Sequence, residues 1–155
     1  MDTLDARLLR GLQADSQQSL AQLAEKAGLS HSACHRRVRA LEEAGWITGY
    51  CAQLDPAKLG LGIHAFVEIS LVSQSREAMD RFEQAVAGFD DILECHLMAG
   101  EADYLLRVAA ADIEDYDRIH RDCLARLPGV SAMHSSFSIR RIKRWSGYPV
   151  GGRME

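Results

Sequence analysis

Leu4, Leu8, Leu9 and Leu12 recur at the three- and four-residue spacing that lays one apolar stripe along a helix. Asp15 and Ser16 interrupt that run. Ser19 has the side chain of an N-cap, and Leu20, Leu23, Ala24 and Ala27 form the apolar face of a second helix behind it. Gly28 follows, a residue type that reaches positive φ at a tight helix end. Ser30 is placed to cap a third helix running to about Ala44, where Gly45 stops it. Two helices joined by a glycine-containing turn of about three residues have the spacing of a helix-turn-helix. Beyond Gly45, Trp46 to Leu54 is rich in β-branched and aromatic residues and reads as an extended segment, a wing or a linking strand. Asp55 to Gly62 then holds Pro56, Gly60 and Gly62, the composition of a hinge.

After the hinge the period changes. Ile63, Ala65, Val67, Ile69 and Leu71 alternate with His64, Phe66, Glu68 and Ser70, which predicts a strand with one strongly apolar face. Met79, Phe82, Val86 and Phe89 return to helical spacing. Leu93, Cys95 and Leu97 alternate again, a turn follows at Gly100-Glu101-Ala102-Asp103, and Tyr104, Leu106, Val108 and Ala110 make a third strand paired with the second. Ile113, Tyr116, His120, Cys123 and Leu127 predict another helix, halted by Pro128-Gly129, and Val130 to about Arg144 reads as extended. This order, βαββαβ, is the ferredoxin-like split βαβ, with both helices on one face of an antiparallel sheet. The fold class is therefore α+β, a helix-turn-helix, winged-helix-like domain followed by a ferredoxin-like one. Apolar residues on both sides of the first strand, Phe66 and Val72 among them, point to a second copy covering the open sheet face.

The 155 residues carry a formal charge of −4, unevenly placed. Residues 1–60 balance seven bases with seven acids, whereas the remainder holds 11 bases against 15 acids. Within the neutral part, Arg36, Arg37 and Arg39 fall together with no acid between them, a local footprint that the whole-chain charge hides. No apolar run approaches the ~18 residues of a membrane helix, and the start Met-Asp-Thr-Leu-Asp lacks the basic, then apolar pattern of a signal peptide. Cys34, Cys51, Cys95 and Cys123 share no CxxC spacing, so neither a disulfide framework nor a zinc ribbon is indicated. The chain reads as cytoplasmic.

On the third helix, Cys34, Val38 and Leu41 form the inward stripe. Ser32, His35, Arg36 and Arg39 project the other way, with Arg37 on the flank and Ser30 at the cap. Arginine can fork onto guanine O6 and N7 or pair with phosphates, and serine and histidine add shorter donors. A helix-turn-helix seats the N-terminal half of this helix in the major groove. The bland alternative is a solvated basic face on an ordinary helical bundle. His31 and His35 stand at i and i+4, a spacing able to bind a metal, but no third ligand follows and no metal is expected.

Six segments in order carry a resemblance. They are Leu4-Asp5-Ala6-Arg7-Leu8-Leu9, Gly28-Leu29-Ser30, the stretch Cys34 to Glu42, Gly45-Trp46-Ile47-Thr48-Gly49-Tyr50, the stretch Glu94 to Leu106, and Leu127-Pro128-Gly129-Val130. Together they resemble the leucine-responsive, Lrp/AsnC or feast/famine, family of regulators across Leu4 to about Pro149. The resemblance implies a sequence-specific transcriptional regulator that binds double-stranded DNA. It further implies a C-terminal domain that dimerises and builds octamer-type assemblies, and a small effector, an amino acid, bound where dimers meet. The matching effector positions are Met98, Gly100, Glu101, Asp103 and Tyr104 on one subunit and Met133, His134, Ser135 and Ser136 on its neighbour. Glu101 and Asp103 can accept from an ammonium, and Ser135, Ser136 and turn N–H groups can donate to a carboxylate. No other cofactor is implied. The domains are then 1–54, helix-turn-helix; 55–62, hinge; 63–146, effector binding and oligomerisation; and 147–155, a loosely packed tail. His31, Ala33, His35 and Arg36 depart from the common family pattern, so the operator does not carry over, and Ala102 alters the expected pocket.

Two segments admit a second reading. Arg140, Arg141, Lys143 and Arg144 can touch phosphates, but the abundant acids of the same domain favour pairing there instead. His96, His120 and His134 can serve an enzyme, because sirohaem decarboxylases resemble these regulators in domain order. No phosphate loop, nucleophile elbow or HExxH motif supports that alternative.

Overall fold

Asp2 and Asp5 cap each other reciprocally, the Asp2 carboxylate accepting from the Asp5 N–H at 2.8 Å and the Asp5 carboxylate from the Asp2 N–H at 3.0 Å. This capping box starts α1 (Thr3–Ala14). Ser19 and Gln22 repeat the device at α2 (Leu20–Ala27), which ends at Gly28 with φ 72°. Ser30 caps α3 (His31–Glu43) through the Ala33 N–H. Each helix then buries one stripe, so Leu8, Leu9, Leu23, Ala24, Ala27, Cys34, Val38 and Leu41 share a core.

The computed structural model describes residues 1–151, which divide into two units: residues 1–53 with 142–151, and residues 54–141. The extended segment expected after Gly45 forms no strand. The Trp46 and Ile47 N–H groups bond back to the Leu41 carbonyl, and Tyr50 donates its hydroxyl to Glu42 at 2.9 Å. No described part of the chain lies alongside this segment as a ladder partner.

Over its described residues, 147–151, the tail expected to be loosely packed is docked on α1. Gln13 on α1 holds Tyr148 on both sides, accepting its N–H at 2.7 Å and donating to its carbonyl at 2.9 Å. Arg10 donates to the Val150 carbonyl at 3.3 Å, and Val150 packs against the helical core. Gly147, at φ 98°, lies where a Cβ would collide with the Gln13 side chain. A side-chain amide that satisfies one residue's N–H and C=O acts like a single rung of a sheet, and proline and glycine composition alone does not reveal it. The tail's last residues, 152–155, lie outside the described residues.

The second unit contains β1 (Ile63–Leu71), α4 (Arg76–Val86), β2 (Ile92–Leu97), β3 (Tyr104–Ala110), α5 (Ile113–Asp122) and β4 (Val130–Phe137). The antiparallel sheet has the order β2-β3-β1-β4. Ala65, Val67, Ile69, Tyr104, Leu106 and Val108 face Phe82 and Val86 of α4 and Tyr116 and Ile119 of α5. Fully burying each large apolar side chain in such a core contributes roughly 1.5–3 kcal/mol. The helix expected through Leu127 instead ends at Asp122, and a 3₁₀ turn at Leu124–Arg126 brings Leu124 and Leu127 into the core.

Strand β4 also stops sooner than its sequence suggested. Its last rung is the Ser138 N–H to the His64 carbonyl at 2.8 Å, and β1 begins at Ile63, so residues beyond 138 have no edge to pair with. On the opposite sheet face the register sets Glu94, Arg107, Phe66 and Ser136 in one row and His96, Leu105, Glu68 and His134 in the next. No described helix covers that face, and Phe66 is 41% exposed.

Candidate functional site

The outer face of α3 divides into residues that are committed and residues that are free. Ser30 spends its hydroxyl on the cap and touches Ser32 Oγ at 3.3 Å. Arg37 also serves the fold. Its Nη1 lies 2.7 Å from Asp2 Oδ2 and 2.8 Å from Asp5 Oδ1, tying α3 to the start of α1. The Asp5 N–H and the Arg37 guanidinium hold the Asp2 carboxyl below the usual aspartate range, while Asp2 and Asp5 raise Arg37 further. Ser32, His35, Arg36 and Arg39 are exposed, and the last three have no hydrogen-bond or ion-pair partner among the described residues. Helix α3 therefore presents two cations, an imidazole and a hydroxyl from a rigid, capped element. This is the donor set that reads base edges and phosphates in a major groove. His31 and His35 gain no third ligand, and no cluster of metal-ligating side chains occurs among the described residues.

The four bases Arg140, Arg141, Lys143 and Arg144 do not pair with acids as their surroundings suggested. They are exposed, and among the described residues none of them joins an ion pair. Four acids of the second unit pair with other arginines: Asp91 and Asp115 with Arg118, Asp117 with Arg121, and Glu94 with Arg107.

In the second unit, the β2–β3 turn is closed by the Met98 N–H on the Asp103 carbonyl at 2.8 Å. Gly100 and Glu101 are exposed at its tip, and Met98 is 43% exposed beside them. Asp103 is committed to structure, since its carboxylate accepts the Leu71 N–H at 2.7 Å and the Gln74 amide at 2.6 Å. Tyr104 lies in the core at 1% exposure, with its ring 4.5 Å from Phe82 and its hydroxyl donating to Glu83 at 2.8 Å. Burial, followed by Glu83, drives its phenol pKa well above the ordinary value. Gln74 and Glu83 had no local sequence signal, because each acts through a residue more than twenty positions away.

The second effector segment also divides. Met133 and Ser135 oppose Ile69 and Val67 on the helix-covered side, and Ser135 accepts the Tyr116 hydroxyl at 2.6 Å. His134 and Ser136 oppose Glu68 and Phe66 on the open side. Neighbours on a strand point to opposite faces, so the two serines address different surroundings.

Comparison with known proteins agrees with both units. An AsnC-type helix-turn-helix domain matches residues 1–42, and an Lrp/AsnC ligand-binding domain matches residues 64–147. The DNA-binding transcriptional activator DecR of Escherichia coli K12 is 39% identical over 97% of this chain and 99% of its own. An AsnC family transcriptional regulator from Agrobacterium tumefaciens superposes with a TM-score of 0.91 at 39% identity, covering 96% of this chain and 97% of that one. A Neisseria meningitidis transcriptional regulator, solved as its L-Met complex, also gives 0.91, at 32% identity and 96% coverage of both chains. These relatives are regulators, and the enzyme alternative falls with that finding. No helix among the described residues is long and apolar enough to cross a membrane. With both domain models matched in order and the basic face of α3 free, the chain belongs to the Lrp/AsnC family of DNA-binding transcriptional regulators.

Proposed function

We propose that this regulator couples operator occupancy to a free amino acid bound at the β2–β3 turn, and that it works as a homodimer or a larger even-numbered assembly. The observation that carries the DNA half is the contrast on α3, where Arg37 is consumed by Asp2 and Asp5 while Arg36 and Arg39 have no acid to neutralise them among the described residues. For the effector half, Glu101 stands uncommitted at the turn tip, next to exposed Met98. A carboxylate there suits an ammonium, and the L-Met complex of the Neisseria relative supports an amino acid as the ligand class. Asp103 fixes the shape of the turn, and the direct polar contacts fall to Glu101 and to the turn's backbone.

Self-association is supported by the open sheet face. Phe66 is exposed there, and Arg107 Nε is buried without a partner although its Nη2 pairs with Glu94 at 2.9 Å. A second copy on this face would bury the phenyl ring and can satisfy the guanidinium.

The deciding experiment combines a duplex selected from a random library with thermal-shift measurements across the twenty amino acids. At least one amino acid at millimolar concentration is expected to raise the melting temperature and change the affinity for the selected duplex, because a ligand of the folded state adds stability. A flat response across the set overturns the effector reading. Failure to select any duplex overturns the proposed site on α3.

A further inference from the structure

The docked tail changes the electrostatics of the DNA-binding unit. Residues 1–53 hold six bases (Arg7, Arg10, Lys26, Arg36, Arg37, Arg39) and six acids (Asp2, Asp5, Asp15, Glu25, Glu42, Glu43). Residues 142–151, which the fold places in the same unit although the sequence pattern assigns 142–146 to the second domain, add Lys143 and Arg144 and no acid. The unit that meets DNA therefore carries two more bases than acids among its described residues, and both excess cations come from the far end of the chain. Over residues 54–141 the balance runs the other way, nine bases against 15 acids.

From this arrangement we infer that Lys143 and Arg144 form a second, sequence-independent contact to the DNA phosphate backbone, held on the helix-turn-helix unit by the Gln13–Tyr148 and Arg10–Val150 clasp. The inference rests on the DNA-binding reading of α3 and extends it. Both side chains are exposed and neither has an acidic partner among the described residues, so their charges are available to phosphates. Lys143 lines a cleft of about 510 Å³ with Arg10, Gln13, Ser146 and Gly147 to Val150. Anchoring on both sides of Tyr148 limits how far the two cations can swing. A charge already held near its phosphate loses less freedom on binding than one on a free tail. Phosphate contacts position a protein on the duplex without reading bases, which suits a segment with no regular structure.

The test uses the full-length protein and a labelled mixed-sequence duplex, with affinity measured across a KCl series. Neutralising the pair in K143Q/R144Q is expected to weaken binding and to lower the slope of log affinity against log salt by about 0.9 for each phosphate that is no longer neutralised. R140Q/R141Q removes the same charge from the other unit and is expected to change the slope less. Q13A keeps every charge but releases Tyr148, and is expected to move the slope in the direction of K143Q/R144Q. If Q13A fails to fold, as judged by its thermal melt, the two charge variants decide the matter.

An unchanged slope in K143Q/R144Q overturns the inference, and so does an equal drop in both charge variants, which would report net charge alone. The underlying reading is tested separately by R36Q/R39Q. If that variant loses affinity while K143Q/R144Q does not, α3 stands and the role of the tail falls. If neither loses affinity, both fall.

Discussion

Arg37 closes on Asp2 at 2.7 Å, joining the middle of the recognition helix to the cap of the first helix. The contact explains why one arginine of a basic cluster serves the fold while its neighbours face solvent. R37Q is expected to lower the melting temperature by a few degrees and to leave most of the DNA affinity intact. R36Q/R39Q should do the opposite, weakening binding at an unchanged melting temperature. Thermal melts and fluorescence anisotropy on the same preparations separate the two. A binding loss in R37Q as large as that in R36Q/R39Q would return Arg37 to the interface.

Acid sensitivity follows from this ion pair and from a second, Arg118 with Asp115. Asp2 is held below the usual aspartate range by the Asp5 N–H and then by Arg37, and Asp115 by the Ala111 N–H and then by Arg118. A depressed folded-state pKa contributes stability above the unfolded value, near 3.9 for aspartate, and loses it as pH falls through the folded value. Melting temperature should therefore hold steady from neutral pH to about 5 and decline below about 4. D115N should flatten the decline, and an identical acid profile in that variant would remove Asp115 from the account.

The turn residues separate by role. D103A strips the Leu71 N–H and the Gln74 amide of their acceptor, so a loss of about 1–3 kcal/mol in urea unfolding is expected, with a weakened effector response as a consequence. E101A should leave unfolding unchanged and lower only the effector response. Loss of stability in E101A, or none in D103A, would reverse the assignment.

Tyr104 gives a third contrast. Y104A opens a cavity beside Phe82 and should cost about 3–5 kcal/mol. Y104F removes only the bond to Glu83, should cost about 1 kcal/mol or less, and should leave the effector response as it is. An effector defect in well-folded Y104F would bring Tyr104 back to the ligand.

The open face is tested by F66E, which places a carboxylate in the row of Arg107 and Ser136. Sedimentation should shift toward the monomer while the melting profile of the chain's own core persists. An unchanged oligomer would move the interface elsewhere.

Local pattern carried much of this architecture. Ser19, Gly28 and Ser30 mark helix ends because capping chemistry acts over three or four residues, and the alternation from Ile63 to Leu71 states which face is buried. The same alternation already divides Ser135 from Ser136, so a single ligand on one sheet face can use one of the two. What local pattern did not carry are the pairings made across the fold. Arg37 looks like its neighbours until α1 is laid beside it, and Asp103 looks like a turn residue until Leu71 and Gln74 reach its carboxylate. The end of β4 depends on where β1 starts, and whether Arg140 to Arg144 meet an acid depends on which side chains the fold brings near them.

The chain leaves its helical unit after residue 53 and re-enters it at residue 142, so this unit is assembled from both ends of the sequence. A single proteolytic cut in the hinge would leave the N-terminal piece held only by the non-covalent docking of residues 142–151, through Gln13–Tyr148, Arg10–Val150 and the packing of Val150. For the same reason, a fragment expressed from the first sixty codons would lack Val150 from its core and the Tyr148 rung from α1. The autonomous unit is better produced by circular permutation than by truncation.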